Sequence, residues 1–90
     1  DLRIGAAGDS MLFERASDAF RSGQAESFLP EIERALPASR DYKLWHLHGL
    51  ILRQLERRDE AIGSLRRAVE LNPAAPNPAL ALAQTLYEAG

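Results

Sequence analysis

Five stretches of apolar residues, each spaced to fall along one face of a helix, constrain this chain more than any other feature of its sequence. They run from Met11 to Phe20, Phe28 to Leu36, Leu44 to Leu55, Ala61 to Leu71 and Ala79 to Tyr87. No segment sustains the two-residue alternation of a half-buried strand, so the periodicity predicts an all-α chain of about five helices. Breakers fall between the stretches at Ser22-Gly23, Pro37 to Arg40, Glu56 to Arg58 and Asn72 to Pro76. Connections this short make consecutive helices antiparallel neighbours, which predicts helical hairpins. The end signals agree: Asp9 or Ser10 is placed to cap the first helix, Ser39 or Asp41 the third, and Asn77-Pro78 to open the fifth. Pro37 and Pro73 close the second and fourth, while Pro30 lies near the start of its helix, where a missing amide hydrogen costs little.

The core of a 90-residue chain is thin, burying roughly 60–65% of the unfolded surface. A content of 46% hydrophobic and 27% charged residues is ordinary for a globular protein and argues against disorder. The net charge of −2 is spread among interleaved acids and bases, without the basic stripe that nucleic acid requires. The absence of Cys removes disulfides, thiolate catalysis and Cys-ligated zinc. No apolar run approaches the roughly 20 residues that span a bilayer, and the first eight residues lack the features of a signal peptide. A cytoplasmic chain without a membrane partner is therefore expected.

Internal similarity narrows the fold further. Trp45, Gly49, Leu52, Ala61, Leu65, Ala68 and Pro73 follow one another in the order and spacing of the 34-residue tetratricopeptide pattern, which this stretch resembles. In that pattern small residues set the distance between helices and large ones seal the space: Gly49 and Ala61 allow close approach, Ala68 admits the next repeat, and Trp45, Leu52 and Leu65 fill between. Residues 9–41 resemble a degenerate, shorter copy, with Ala16 in the place of Gly49, Gly23 in the turn, Phe28 in the place of Ala61 and Ala35 in that of Ala68. Residues 42–75 form the best copy, 76–90 the first helix of a third, and 1–8 a leader. Three residues depart from the pattern: His48 stands for Leu, Leu52 for Tyr and Glu56 for a turn Gly. Phe28 should widen the first hairpin unless Ala16 and Ala19 make room for it.

The resemblance implies antiparallel hairpins stacked as a right-handed superhelix, and a protein or peptide partner held in the concave groove lined by the first helix of each repeat. Carried onto this chain, the groove residues are Phe13, Ser17, Phe20, Lys43, His46, Leu50, Arg53 and Gln84. Phe13 and Ser17 stand where members that grip a terminal carboxylate carry Lys and Asn, which disfavours that subclass. The lining suits apolar anchors with an acidic group, or a helix of a longer parent protein. From Ala79 to Gly90 the one charged residue is Glu88, so Leu80, Leu82, Leu86 and Tyr87 are expected to form an uncapped end that self-associates or meets further repeats. A scaffold rather than an enzyme is expected. The alternative the resemblance allows is an N-terminal appendage of a bacterial-type enzyme, such as a sulfotransferase or glycosyltransferase, with catalysis outside this chain.

Little else in the sequence suggests chemistry. His46 and His48, two positions apart, point about 200° from one another on a helix and cannot share a metal by themselves. His48, at a packing position, is expected to bury a ring face with its nitrogens bonded or reaching solvent. Glu26, Glu31, Glu33, Asp59 and Glu60 alternate with arginines, as on solvated helix faces. Gly5 and Gly8 before the first apolar stretch are better explained by a flexible leader than by a phosphate loop, since no strand precedes them and no Gly-Lys-Ser or Gly-Lys-Thr follows. No metal and no cofactor are expected.

Overall fold

A computed structural model describes residues 2–90, with side chains from Met11 onward. The chain is all-α: α1 (Leu2–Arg21), α2 (Leu29–Ala35), α3 (Tyr42–Gln54), α4 (Arg58–Leu71) and α5 (Pro76–Ala89), with 3-10 turns at Ala25–Phe28 and Leu36–Ala38 on either side of α2. The helix α1 begins earlier than its apolar stretch implies. Residues expected to form a leader are its first turns, so Asp9 and Ser10 lie inside the helix and neither caps it.

The helix expected over Phe28 to Leu36 is shorter and flanked by tighter turns. Leu29 donates its N–H to Glu26 O in a 3-10 bond. Pro30 has no N–H with which to continue the ladder, so the α-helical register starts only there. At the other end Pro37 holds the chain in a second 3-10 turn, closed by Ser39 N–H on Leu36 O at 3.0 Å.

The start of α3 follows its expected cap. Asp41 Oδ1 accepts from the Lys43 N–H at 2.9 Å, and Ser39 Oγ accepts from the Asp41 N–H at 3.2 Å. Trp45 anchors the same corner by donating its Nε1–H to Ser39 O at 3.2 Å. The helix α5 opens at Pro76 rather than Asn77, with Ala75 as the flanking residue and Pro78 buried in the first turn. Proline is well suited to that first position because its missing N–H would have no partner there.

Both hairpins turn by the same device. Gln24 N–H bonds Ala19 O at 2.7 Å while Gly23 N–H bonds Phe20 O at 3.3 Å; Arg57 N–H bonds Leu52 O at 2.9 Å while Glu56 N–H bonds Arg53 O at 3.0 Å. These crossed pairs are Schellman motifs, which need a left-handed residue just past the helix. Gly23 supplies it at φ 79°, and Glu56 supplies it at φ 64°. Glu56 thus holds the turn-glycine conformation at a steric cost of about 1–2 kcal/mol.

One continuous core joins the hairpins. Ala16, Ala25, Leu29, Ile32 and Leu36 from the first meet Leu44, Leu47, Ile51, Leu52 and Ala61 from the second, with Leu12, Phe13, Phe20, Phe28, Trp45 and Leu55 packed around them. The helices α3 and α4 form the most intimate pair, α5 lies against α4, and α1 and α2 both reach α3. At the α3–α4 contact Gly49 faces Leu65 and the Ala61 carbonyl so closely that a Cβ there would stand 2.6 Å from Leu65 Cγ. Phe28 is only half-buried, with the Arg15 guanidinium 5.5 Å from its ring centroid, and Ala16 and Ala19 are buried.

Candidate functional site

The groove is built from helical spacing. On α1, Phe13, Ser17 and Phe20 recur at intervals of three and four, as Lys43, His46, Leu50 and Arg53 do on α3, so each set forms a stripe along its helix. The two stripes face each other across a concavity of about 580 Å³ floored by Leu47 and closed by the turn from Asn72 to Pro78. Six of the eight groove candidates line it: Phe13, Ser17, Phe20, Lys43, His46 and Leu50. The charged side chains of its lining are Arg21 and Lys43, both basic, with the His46 ring beside them and no carboxylate among the lining residues. His46 is half-buried, and that burial lowers its pKa from the usual histidine range, so the ring is neutral at pH 7.

Arg53 and Gln84 lie further along the same stripes and outside that concavity. Arg53 donates from Nε and Nη2 to the two Glu88 carboxylate oxygens at 3.0 and 2.7 Å, and from Nη1 to Gln84 Oε1 at 3.3 Å. This bidentate fork joins α3 to α5 across the groove side and lowers the Glu88 pKa below the usual carboxylate range. The fork of Arg53 is thus occupied by Glu88, an engagement that was not read from the sequence.

The four residues expected to form a single apolar end divide between two flanks of α5. Pro78, Ala81 and Thr85 are its buried line, with the Thr85 hydroxyl donating to Ala81 O at 2.7 Å. Leu80 and Tyr87 fall on the same side as Gln84, toward the groove, and Tyr87 is 88% exposed beside Arg53. The exposed Leu86 and the half-buried Leu82 fall on the opposite flank. Tyr87 therefore lines a depression with Arg53 and Gln84, and Leu80 is exposed on the same flank of the helix, which the expectation of one uncapped end did not distinguish.

A polar trio with a buried pair, His48 and Ser64, and an exposed carboxylate, Glu33, lies on the other side of α3, and its membership was not read from the sequence. His48 sets Nδ1 2.6 Å from Ser64 Oγ and Nε2 3.2 Å from Glu33 Oε2. With the Nε2–H donating to the carboxylate, the Ser64 hydroxyl donates to Nδ1, and both ring nitrogens are satisfied by a neutral imidazole. Ser64 and His48 are buried, so no substrate reaches the hydroxyl and the trio acts as a polar clasp between α2, α3 and α4. The available signal was a pair of polar residues on apolar stripes, His48 among Leu44, Leu52 and Ile51, and Ser64 among Ala61, Leu65 and Ala68.

The clasp makes folding sensitive to acid. Desolvation lowers the His48 pKa, outweighing the opposing pull of Glu33 and Glu60, while Arg57 adds to the depression. A histidine whose folded pKa lies below its unfolded value of about 6.5 contributes stability that is complete above that pH and is lost as pH falls through it. The urea midpoint is expected to drop between pH 7 and 5. The His48→Leu/Ser64→Ala double variant, which removes the ring without stranding the hydroxyl, should flatten that slope. A slope equal to wild type would assign the effect to His46, which shifts in the same direction.

Among the described residues no group of three or more His, Cys, Asp or Glu side chains is placed to hold a metal ion. No helix among them is long and apolar enough to cross a membrane.

Comparison with known proteins adds one positive finding. Residues 42–74 match the family model of the tetratricopeptide repeat. No curated protein and no solved structure matches the chain. The matched residues are those of α3, α4 and the turn between them, the best-packed hairpin of the fold. Over residues 42–74 the chain is thus similar to the tetratricopeptide repeat, a kind of unit that scaffolds protein–protein interactions.

Proposed function

We propose that the concavity between α1, α3 and the turn preceding α5 holds an extended peptide that presents apolar side chains and an acidic group. The observation that carries this reading is the composition of the lining: Phe13, Phe20 and Leu50 provide apolar surface, and its charged side chains, Arg21 and Lys43, are both basic. A partner with apolar anchors fits the first, and one with carboxylates fits the second. Catalysis has no part in this reading, and an enzyme domain joined to such a module would use the groove for docking.

The test is fluorescence anisotropy with a pool of end-blocked octapeptides built from Phe, Leu, Ser and Glu, beside a matched pool with Lys in place of Glu. The Glu pool should bind with an affinity that falls as salt rises, and Lys43→Glu should weaken it by roughly three- to tenfold. Equal binding of the Lys pool, or indifference to Lys43→Glu, would remove the acidic-peptide reading.

A further inference from the structure

Beyond the main concavity, the groove narrows to a cluster of charged side chains where α3, α4 and α5 meet. Phe20 and Leu50, which line the main concavity, also line a second depression with Arg53, Arg58, Glu56 and Glu88. Arg53 and Glu88 in turn line a third, with Gln84 and Tyr87. The three depressions therefore adjoin one another, and Arg53 and Glu88 are shared by the outer two.

Two features of that junction point to a ligand. The first is Arg58, whose Nε is buried without a hydrogen-bond partner among the described residues. Arg58 itself is half-buried, and a guanidinium Nε left without a protein acceptor is met by a water or by an anion. The second is the state of Glu88. Its carboxylate is held by Arg53 and feels the charge of Arg58 as well, yet it sits near the last turn of α5 with its side chain 39% exposed. A carboxylate on an exposed helix end is held weakly enough to exchange with another.

We infer that Arg53, with Arg58 beside it, is a second carboxylate subsite of the groove, occupied at rest by Glu88 and filled in the complex by an acidic side chain of the bound peptide. The inference rests on the groove reading above and adds a position to it. A peptide running from the main concavity toward Tyr87 crosses Arg53 after its apolar anchors have been seated at Phe20 and Leu50. Its carboxylate replaces that of Glu88 in the fork, Glu88 turns to solvent, and the exposed Tyr87 ring lies next along the path. The exchange conserves one carboxylate on Arg53, so its cost is small, and a neutral side chain at that point of the peptide gains nothing from it.

Glu88→Gln separates this from the groove reading. Gln keeps the helix and one acceptor for Arg53 but removes the competing charge. In the same anisotropy assay the variant should bind the Glu pool about two- to fivefold more tightly than wild type. A pool with Gln in place of Glu should bind both proteins alike, and Arg53→Gln in the Glu88→Gln background should abolish the gain. Circular dichroism establishes that each variant is folded. If wild type binds the Glu pool and Lys43→Glu weakens it, but Glu88→Gln changes nothing, the second subsite is wrong and the groove reading stands. Equal tightening for the Gln pool would show general loosening of α5 and would also overturn the subsite. If neither wild type nor variant binds any pool, both readings fall together.

Discussion

Gly49→Ala is expected to lower stability by about 1–2 kcal/mol, although alanine is the better helix former by up to about 1 kcal/mol. The added Cβ would lie 2.6 Å from Leu65 Cγ, 2.8 Å from Leu65 Cδ2 and 3.3 Å from the Ala61 carbonyl oxygen. Leu65 is fully buried, so it cannot step aside without opening space elsewhere in a close-packed interior. For a domain of this size the loss corresponds to a fall in Tm of roughly 5–15 °C. Gly63 provides the internal comparison, since a Cβ there meets nothing within 4 Å and the residue is an exposed position of α4. Gly63→Ala should therefore stabilise by about 0.5–1 kcal/mol through helix propensity alone.

The explanation through Leu65 is checked by a double-mutant cycle. Leu65→Ala alone should cost about 2–5 kcal/mol by leaving a cavity. In that background the atoms that Gly49→Ala collides with are absent, so the same substitution should become neutral or stabilising. Additive effects across the cycle would mean that Gly49 is required for some reason other than the approach of α3 to α4.

Ala61→Leu should be damaging from the other side of the same contact. Ala61 is fully buried on α4, and its carbonyl lies against the position where a Cβ would enter at Gly49. A leucine side chain has to separate the two helices or leave its rotamer, which costs on the order of 1–3 kcal/mol. Because a small domain has only about 5–15 kcal/mol of net stability, the thermal midpoint should fall visibly. An unchanged midpoint would mean that α3 and α4 are not packed in the register described.

These two sites show why the second hairpin was legible in the sequence. Small residues at Gly49, Ala61 and Ala68 and large ones at Trp45, Leu52 and Leu65 encode one interhelical distance, and the encoding lies within 42–74, the segment that matches the repeat family. The first hairpin was less legible because its constraints conflict. The apolar spacing over Phe28 to Leu36 is helical, yet Pro30 and Pro37 withhold the hydrogen bonds a long helix needs, and 3-10 turns take up the difference. The early start of α1 was also missed, since Gly5 and Gly8 read locally as breakers while the backbone continues helical through them.

The groove was legible as a set of helix faces and not as a set of interactions. Periodicity placed Phe13, Ser17, Phe20, Lys43, His46 and Leu50 on two stripes, and those stripes do meet around one concavity. It could not reveal that Arg53 is engaged by Glu88, because the two are separated by all of α4 and approach only when α5 returns across it. The same holds for His48, whose partners Ser64 and Glu33 come from different helices.

What the sequence by itself determined is the set of local quantities: helical period, breakers, a cap at Ser39 or Asp41, the Gly23 turn and the spacing of small residues at the α3–α4 contact. Each depends on neighbours within a few turns of chain, where residue type fixes backbone preference directly. The tertiary structure decided which charges are engaged and which apolar residues share a surface. It paired Arg53 with Glu88, clasped His48 between Ser64 and Glu33, and divided Leu80 and Tyr87 from Leu82 and Leu86. Those outcomes depend on how far each helix is rotated about its axis when it docks, a rotation set by the summed packing of the whole core and carried by no single stretch of sequence.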